Sequence, residues 1–427
     1  MPSEIIHVPR RFVSHEWGGT ETVITEIAKQ QQSAGFAPRI VTSRALSSQS
    51  RETIDGIPVE RHRYCYPFLG LSQADKLAMD KKGGNLLSFS LFASLARASK
   101  ARLFHAHALK RLGGTVARAA QIQRKPFVVS LHGGVYDVPA QELATMTKPL
   151  AGKFEWGRAF GALLGSRQLL DRADMVICVG QSEYDIARQQ LPHDRISYLP
   201  NGVNFSKFKQ GNGARFRALH GIKANAFVVL NVSRIDSQKN QQALIEAFYH
   251  VHRRDPSAVL VLIGPETQPW YAQQLRVTIA ELGLGYAVKW LPGLAPSDPS
   301  LVDAYDACDV FVLPSMHEPF GIVVLEAWSA GKPVIASRVG GLKSLIRSEE
   351  TGLFFDTTME LTVELLSLHR SVALRHTLGN AGRAQARKHY DWSQINRQLE
   401  SLYQAAEVHA EKRYHRSLAN LSACPTA

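Results

Sequence analysis

Short runs of β-branched and apolar residues alternate with helical patterns along the whole chain, and the series occurs twice in tandem. That alternation leaves few folds open, because strands separated by amphipathic helices pack as parallel sheets covered by helices on both faces. The first series places strands at residues 5–8, 39–42, 103–105, 127–131, 175–179 and 196–199. The second places them at 227–232, 258–263, 288–290, 310–313, 334–336 and 352–355. A chain of 427 residues exceeds what one core sustains, since single cores stop growing at about 250–300 residues. The expected architecture is therefore α/β, with two Rossmann-like, doubly wound parallel-sheet domains. The seam falls at Pro200-Asn201-Gly202, where a strand runs into a turn signal and a glycine-containing, loop-like stretch continues to Gly213. Domains of 1–200 and 201–392 follow, with a final helical pattern at 393–411 and a tail from about Tyr414. Ligands of open α/β sheets bind outside the carboxyl ends of strands, so two such domains facing one another define a single central cleft.

Loops that follow strands are where chemistry is sought. Leu313-Pro314-Ser315-Met316-His317-Glu318-Pro319-Phe320-Gly321 follows a buried-strand pattern, and a helix then reads from Ile322 until Gly331-Lys332-Pro333 stops it. Glu318 lies in the loop and Glu326 on the helix. Were the whole interval helical, the rise of about 1.5 Å per residue would part their backbones by roughly 12 Å. The carboxyl pair of a retaining glycosidase stands only about 5–5.5 Å apart, so a two-carboxylate hydrolase is disfavoured. Carboxylates spaced more widely grip hydroxyls at two ends of an extended ligand, while the amides of Phe320, Gly321 and Ile322 at the helix start face an anion. A glutamate is ordinarily a surface charge, yet Glu326 sits among Val323, Val324, Leu325 and Trp328. Arg234 and Lys239 lie five residues apart in one strand-to-helix loop. Both can face phosphates, Arg234 as a planar fork and Lys239 as a point charge, although alone they read more readily as surface cations.

In the first half, Gly18 and Gly19 stand between the first strand and a helix over residues 21–32. Glycines there let backbone amides approach a phosphate, and a plain tight turn explains them as well. His132 ends the strand 127–131 and precedes Gly133-Gly134, so its imidazole is placed to reach the cleft. The dinucleotide fingerprint is absent, which argues against a nicotinamide-dependent dehydrogenase.

Glu318-Pro319-Phe320-Gly321 through Glu326-Ala327, with Ala330-Gly331-Lys332-Pro333, resembles the signature of the large retaining glycosyltransferase family called group 1, or family four, which has the GT-B fold. Ser233-Arg234 with Lys239-Asn240 resembles that family's diphosphate clamp. The resemblance implies a donor-binding second domain and an acceptor-binding first domain completed by the final helix, about residues 393–413. It assigns Glu318 to the sugar hydroxyls, Glu326 to the ribose, and Gly18 and Gly19 to the diphosphate and acceptor pocket. His132 is assigned to the donor sugar or its phosphate, and Arg11, His15, Glu16 and Asp137 become acceptor contacts. The implied reaction moves a hexose from a nucleoside diphosphate donor to a hydroxyl of a lipid-linked or saccharide acceptor, with no cofactor and no metal. Residues 154–174 are similar to segments of exopolysaccharide and cell-surface glycan transferases, although their aromatic and basic residues read equally as helix faces packed on the sheet. The chain departs from the family pattern at Gly264-Pro265-Glu266 and at Leu342-Lys343-Ser344 after Gly340-Gly341, which bears on donor choice.

The net charge of +13 is concentrated in the first half, where residues 1–200 carry 26 Lys+Arg against 17 Asp+Glu. That excess suits phosphate-bearing ligands or an anionic membrane surface, and equally a generally basic solvated surface. No aromatic-basic interleaving of the nucleic-acid-binding kind occurs, so nucleic acid is not an expected partner. Cys65, Cys178, Cys308 and Cys424 are isolated and form neither a disulfide framework nor a zinc pattern. The most membrane-like stretch, residues 86–104, contains Arg97, Lys100 and Arg102, and no secretory signal is visible, so the expectation is a cytoplasmic protein, peripheral to the inner membrane face at most. An epimerase or hydrolase on the same architecture, and a non-catalytic sugar-nucleotide binding protein, are the rival readings.

Overall fold

The computed structural model describes residues 2–133, 144 and 146–422. The chain divides into two compact units, one of Met1–Pro200 with Asn396–Ala427 and one of Asn201–Ile395.

The first unit carries an eight-stranded sheet ordered β10-β9-β7-β6-β1-β2-β4-β3. Its strands are β1 Glu4–Val8, β2 Ala37–Ser43, β3 Arg51–Ile54, β4 Ile57–His62, β6 Ala101–Ala106, β7 Phe127–Leu131, β9 Met175–Cys178 and β10 Ile196–Tyr198. All pair in parallel except β3 with β4. That pair is a hairpin the alternating pattern does not announce. Asp55 and Gly56 both take left-handed φ values, 49° and 80°, as a two-residue hairpin turn with matching twist demands. A separate two-stranded pairing joins β5 Phe68–Leu69 to β8 Phe154–Glu155.

The second unit is a six-stranded, wholly parallel sheet ordered β13-β12-β11-β14-β15-β16. These strands are β11 Val228–Val232, β12 Val259–Ile263, β13 Val288–Leu291, β14 Val310–Leu313, β15 Val334–Ser337 and β16 Leu353–Phe355. Parallel strands covered on both faces are apolar on successive residues, not alternate ones. The two faces of this sheet accordingly open into separate cores, one around Leu230, Phe311 and Trp328 and the other around Val229, Phe248 and Leu262.

In each sheet the order reverses beside its first strand, between β1 and β6 in the first unit and between β11 and β14 in the second. Such switch points leave a crevice at the carboxyl ends of the strands.

Two boundaries differ from the sequence reading. The stretch after Gly202 is not plain loop. Asn204 accepts a hydrogen bond from the Lys207 amide and caps a one-turn helix, Phe205–Phe208. The glycines there serve close packing, since a Cβ at Gly213 would lie 2.7 Å from the backbone of Ala307. The final helix, Trp392–Ser422, runs past the expected end near Glu411. It docks through buried Trp392, Ile395, Leu399, Tyr403, Ala406 and Ala410, spaced by three and four residues. Arg102 pairs with both Glu400 and Glu407 at 2.7 Å, and Tyr414 donates to the Ala120 carbonyl at 3.2 Å. Among the described residues no helix is long and apolar enough to cross a membrane.

Candidate active site

Arg234 and Lys239 follow β11, and Glu318 follows β14, the two strands that flank the switch point of the second unit. Lys239 Nζ donates to Glu318 Oε2 at 2.6 Å, with both side chains largely buried. The loops are built to hold that meeting. Asp236 caps the turn Ser237–Lys239 by accepting from the Lys239 amide, and the Met316 amide donates to the Gln238 carbonyl at 2.8 Å. Gln241 Nε2 donates to the Arg234 carbonyl at 2.8 Å. Arg234 pairs with Asp236 at 3.1 Å in the same loop, its side chain 42% exposed.

Glycines close the arrangement. A Cβ at Gly264 would lie 1.8 Å from the Ser233 carbonyl, and one at Gly340 would lie 2.3 Å from the Glu318 carbonyl. Gly341 also donates its amide to that carbonyl at 2.9 Å. The two places where the sequence departs from the family pattern are thus where one backbone presses on a site loop. Gly321, at φ 92°, caps the helix Ile322–Ser329, and a side chain there would strike Leu342. Phe320 points into the core, 4% exposed, so its side chain is not offered to a ligand.

Glu326 has partners of its own. Its Oε2 accepts from the Tyr305 hydroxyl at 2.7 Å. Burial pushes its carboxyl up to about 7, against the lowering pull of Tyr305 and the Lys207 ammonium. Neither neighbour is apparent from the motif. Beyond Gly264, a hollow of about 610 Å³ is lined by Glu266, Arg276, Trp290 and Gly293 at the ends of β12 and β13. Arg276 lies over the Trp290 ring at 4.7 Å.

The first unit has its own hollow, about 380 Å³, beside the switch point between β1 and β6. It is lined by Arg10, Lys82, Lys110, His107 and His132, a cationic and imidazole-rich surface. Lys110 holds a left-handed φ of 58°, a conformation that bulky residues seldom adopt. His132 is one of a line of imidazoles: its Nε2 meets His107 Nδ1 at 2.9 Å, and His107 Nε2 meets His7 Nδ1 at 3.0 Å. Burial lowers His7 and His132 to about 4 and takes His105 and His107 well below the usual range. His7, His105 and His107 offer nitrogens within 4.8 Å of one another, a grouping no sequence spacing announces because parallel strands bring it together.

The remaining first-domain expectations divide. Gly18 precedes the helix Gly19–Ser33, but its amide donates to Glu21 Oε2 at 3.1 Å and is already engaged. Burial raises the Glu21 carboxyl, and Arg11 approaches it at 4.0 Å. Arg11 also donates to the Glu16 carbonyl, and Glu16 pairs with Lys81 at 3.4 Å. These side chains brace the first loop. His15 is exposed on it. Asp137 lies outside the described residues.

Residues 214–385 match the family model for glycosyl transferases group 1, and residues 17–207 match that for glycosyltransferase family 4. The chain is 30% identical to the D-inositol 3-phosphate glycosyltransferase of Kineococcus radiotolerans, over 78% of its own length and 76% of the relative's. It is 31% identical to the enzyme of that name from Saccharomonospora viridis, over 57% of the chain and 58% of the relative. Among solved structures it is similar to HepE of Anabaena, crystallised with UDP and with UDP-glucose, at 22% identity, a TM-score of 0.69, and coverage of 93% of this chain and 98% of that one. That likeness is one of fold, and the fold is GT-B. The paired sheets, the motif loops at the second switch point and the spanning matches agree: this chain belongs to the group 1, or family four, glycosyltransferases.

Proposed function

We propose that the protein is a retaining glycosyltransferase that moves a hexose from a nucleoside diphosphate donor to a hydroxyl of a phosphate-bearing acceptor. The observation that carries this reading is the Lys239–Glu318 contact at the second switch point, with Arg234 partly exposed in the same loop. In this reading Arg234, Lys239 and the amides after Gly321 stabilise the charge growing on the departing diphosphate. Glu318, freed from Lys239 as phosphate takes its place, orients the sugar hydroxyls. Glu326 with Tyr305 receives the ribose, and the hollow beside Gly264 and Trp290 takes the base. The diphosphate itself accepts the acceptor proton on the face where its bond breaks, which retains configuration without a carboxylate nucleophile. The protein's cations supply the neutralisation, and the mechanism calls for no metal or other cofactor.

The acceptor side rests on the hollow of Arg10, Lys82 and Lys110 and on relatives that carry D-inositol 3-phosphate in their names. An inositol phosphate is accordingly the first acceptor to try, and uridine nucleotide sugars are the first donors, as HepE was crystallised with them. Lipid-linked and saccharide acceptors follow. The test is a donor panel assayed by mass spectrometry with and without acceptor. Donor consumption should require acceptor, and Arg234→Ala and Lys239→Ala should each lower it about 100-fold or more. Consumption without acceptor would replace this reading by a hydrolase or epimerase, and binding without turnover by a sugar-nucleotide sensor.

A docking role at an anionic inner membrane face is part of the same proposal, in keeping with exopolysaccharide or cell-surface glycan synthesis. Its support is an apolar ridge formed by Leu69 and Phe154, paired across β5 and β8, and continuing through exposed Trp156 and Leu163. Trp156 and Phe89 each contact the Phe160 ring edge-on. Exposed Arg158 adjoins it, 3.7 Å from Glu155. These aromatics do not pack on the sheet. Phe154→Ser with Trp156→Ser should abolish co-sedimentation with phosphatidylglycerol vesicles, and equal binding to phosphatidylcholine would remove this element.

A further inference from the structure

We infer that Gln31 sets the tautomer of His132 through two intervening imidazoles, so that His132 presents a bare Nδ1, a hydrogen-bond acceptor, to the hollow of the first unit. The geometry is a continuous line across four elements. Gln31, on the helix Gly19–Ser33, places Oε1 2.8 Å from His7 Nε2 on β1. His7 Nδ1 lies 3.0 Å from His107 Nε2, just past β6, and His107 Nδ1 lies 2.9 Å from His132 Nε2, just past β7.

A neutral imidazole has one N–H and one bare nitrogen, and each bond in such a line fixes the next. The Gln31 carbonyl accepts only, so His7 carries its proton on Nε2 and leaves Nδ1 bare. His107 must then donate from Nε2 and accept at Nδ1. His132 must donate from Nε2, and its Nδ1 is left bare, with no hydrogen-bond partner among the described residues. The neutral state that this logic needs is imposed by burial, which lowers all the imidazoles involved.

On its other side Gln31 continues the network toward the final helix. Its Nε2 donates to the Tyr403 hydroxyl at 3.3 Å. Tyr403 Oη in turn lies 2.8 Å from His105 Nδ1, and His105 Nε2 lies 2.8 Å from Ser130 Oγ. Rotating the Gln31 amide by half a turn would reverse the whole line and give His132 an N–H facing the hollow. That state suits a phosphate, whereas the one inferred suits a hydroxyl. Gln31, His7 and His107 are on this view positioning residues, with Tyr403 of the final helix holding the amide.

The experiment is nitrogen-15 NMR of the full chain labelled at histidine, where long-range proton–nitrogen correlations separate bare from protonated ring nitrogens and His132→Gln assigns the signal. His132 should be protonated at Nε2 in the native protein. Gln31→Glu, which keeps an acceptor toward His7, should preserve that pattern, and Gln31→Met, which removes it, should give mixed tautomers. A structural role alone predicts the reverse ranking, because methionine fills the buried site and glutamate charges it. A native His132 protonated at Nδ1, or a Gln31→Met spectrum matching the native one, overturns the inference. This tautomer readout stands whatever the activity. Only the kinetic arm rests on the transferase reading: with a turnover assay, Gln31→Met should lower kcat about 10- to 100-fold with the donor KM unchanged, and Gln31→Glu should restore it.

Discussion

Glu326 shows how a residue's surroundings decide its chemistry. A carboxyl between Tyr305 and an apolar helix face is held near 7, so at neutral pH it is divided between a form that only accepts and one that also donates. Its folded pKa lies above its unfolded one, so the folded protein holds more protons than the unfolded chain across the window from about 4.5 to about 7. The stability it contributes is full below that window and is lost as pH rises through it. Replacing it by glutamine removes the titration. Glu326→Gln should therefore gain on the native protein as pH rises from 5 to 8, by at most about 3 kcal/mol, read from urea unfolding at each pH. A constant difference across that range would mean that the carboxyl is solvated. The acidic pair and the two cations were legible in the sequence as motif residues. Tyr305, Lys207 and the buried histidine line were not, because each owes its place to a strand or helix far along the chain.

At the scale of elements, close approach of backbones explains what propensity alone would reject. The helix Val372–His389 contains Gly379 and Gly382, each unfavourable in a helix interior by up to about 1 kcal/mol relative to alanine. A Cβ at Gly379 would lie 2.2 Å from the Gly331 carbonyl, and one at Gly382 would lie 2.3 Å from the ring of fully buried Trp328. Gly331 ends the motif helix, so these glycines let the second helix brace the one that carries Glu326. Overpacking costs typically 1–3 kcal/mol and exceeds the propensity gain where backbone is struck. Gly379→Ala should thus destabilise the protein by about 1–2 kcal/mol despite its better propensity, measured by thermal unfolding. A stabilised variant would show that the two helices separate readily. All twelve strand positions were readable from apolar runs, whereas the β3–β4 hairpin and the β5–β8 pairing were missed. The hairpin carried a usable signal in Asp55-Gly56, and the short pairing carried none.

Across the whole molecule, the final helix contributes to both units. Trp392 and Ile395 belong to the second unit, and from Asn396 the helix belongs to the first. There Tyr403 holds Gln31, and Arg413 reaches Asp174 at 2.8 Å, a carboxyl that burial raises to about 6. Leu399 is 1% exposed. Leu399→Ala should cost about 2–5 kcal/mol in urea unfolding of the full chain, since large-to-small core changes lose both transfer energy and packing. A loss near zero would mean that the helix is dispensable to the first unit's core. The basic first half was visible in composition, but its division into ion pairs bracing a loop and cations lining a hollow was not.

By itself the sequence determined the fold class, twelve of the strand positions, and the motif residues Arg234, Lys239, Glu318 and Glu326, because period, turn residues and short motifs are local properties written in consecutive positions. Only the tertiary structure decided that Lys239 meets Glu318 and that three histidines, one on β1 and one just past each of β6 and β7, form one line ending at His132. Those outcomes depend on strand order, and strand order is set by packing energies among segments tens to hundreds of residues apart, which no local pattern encodes.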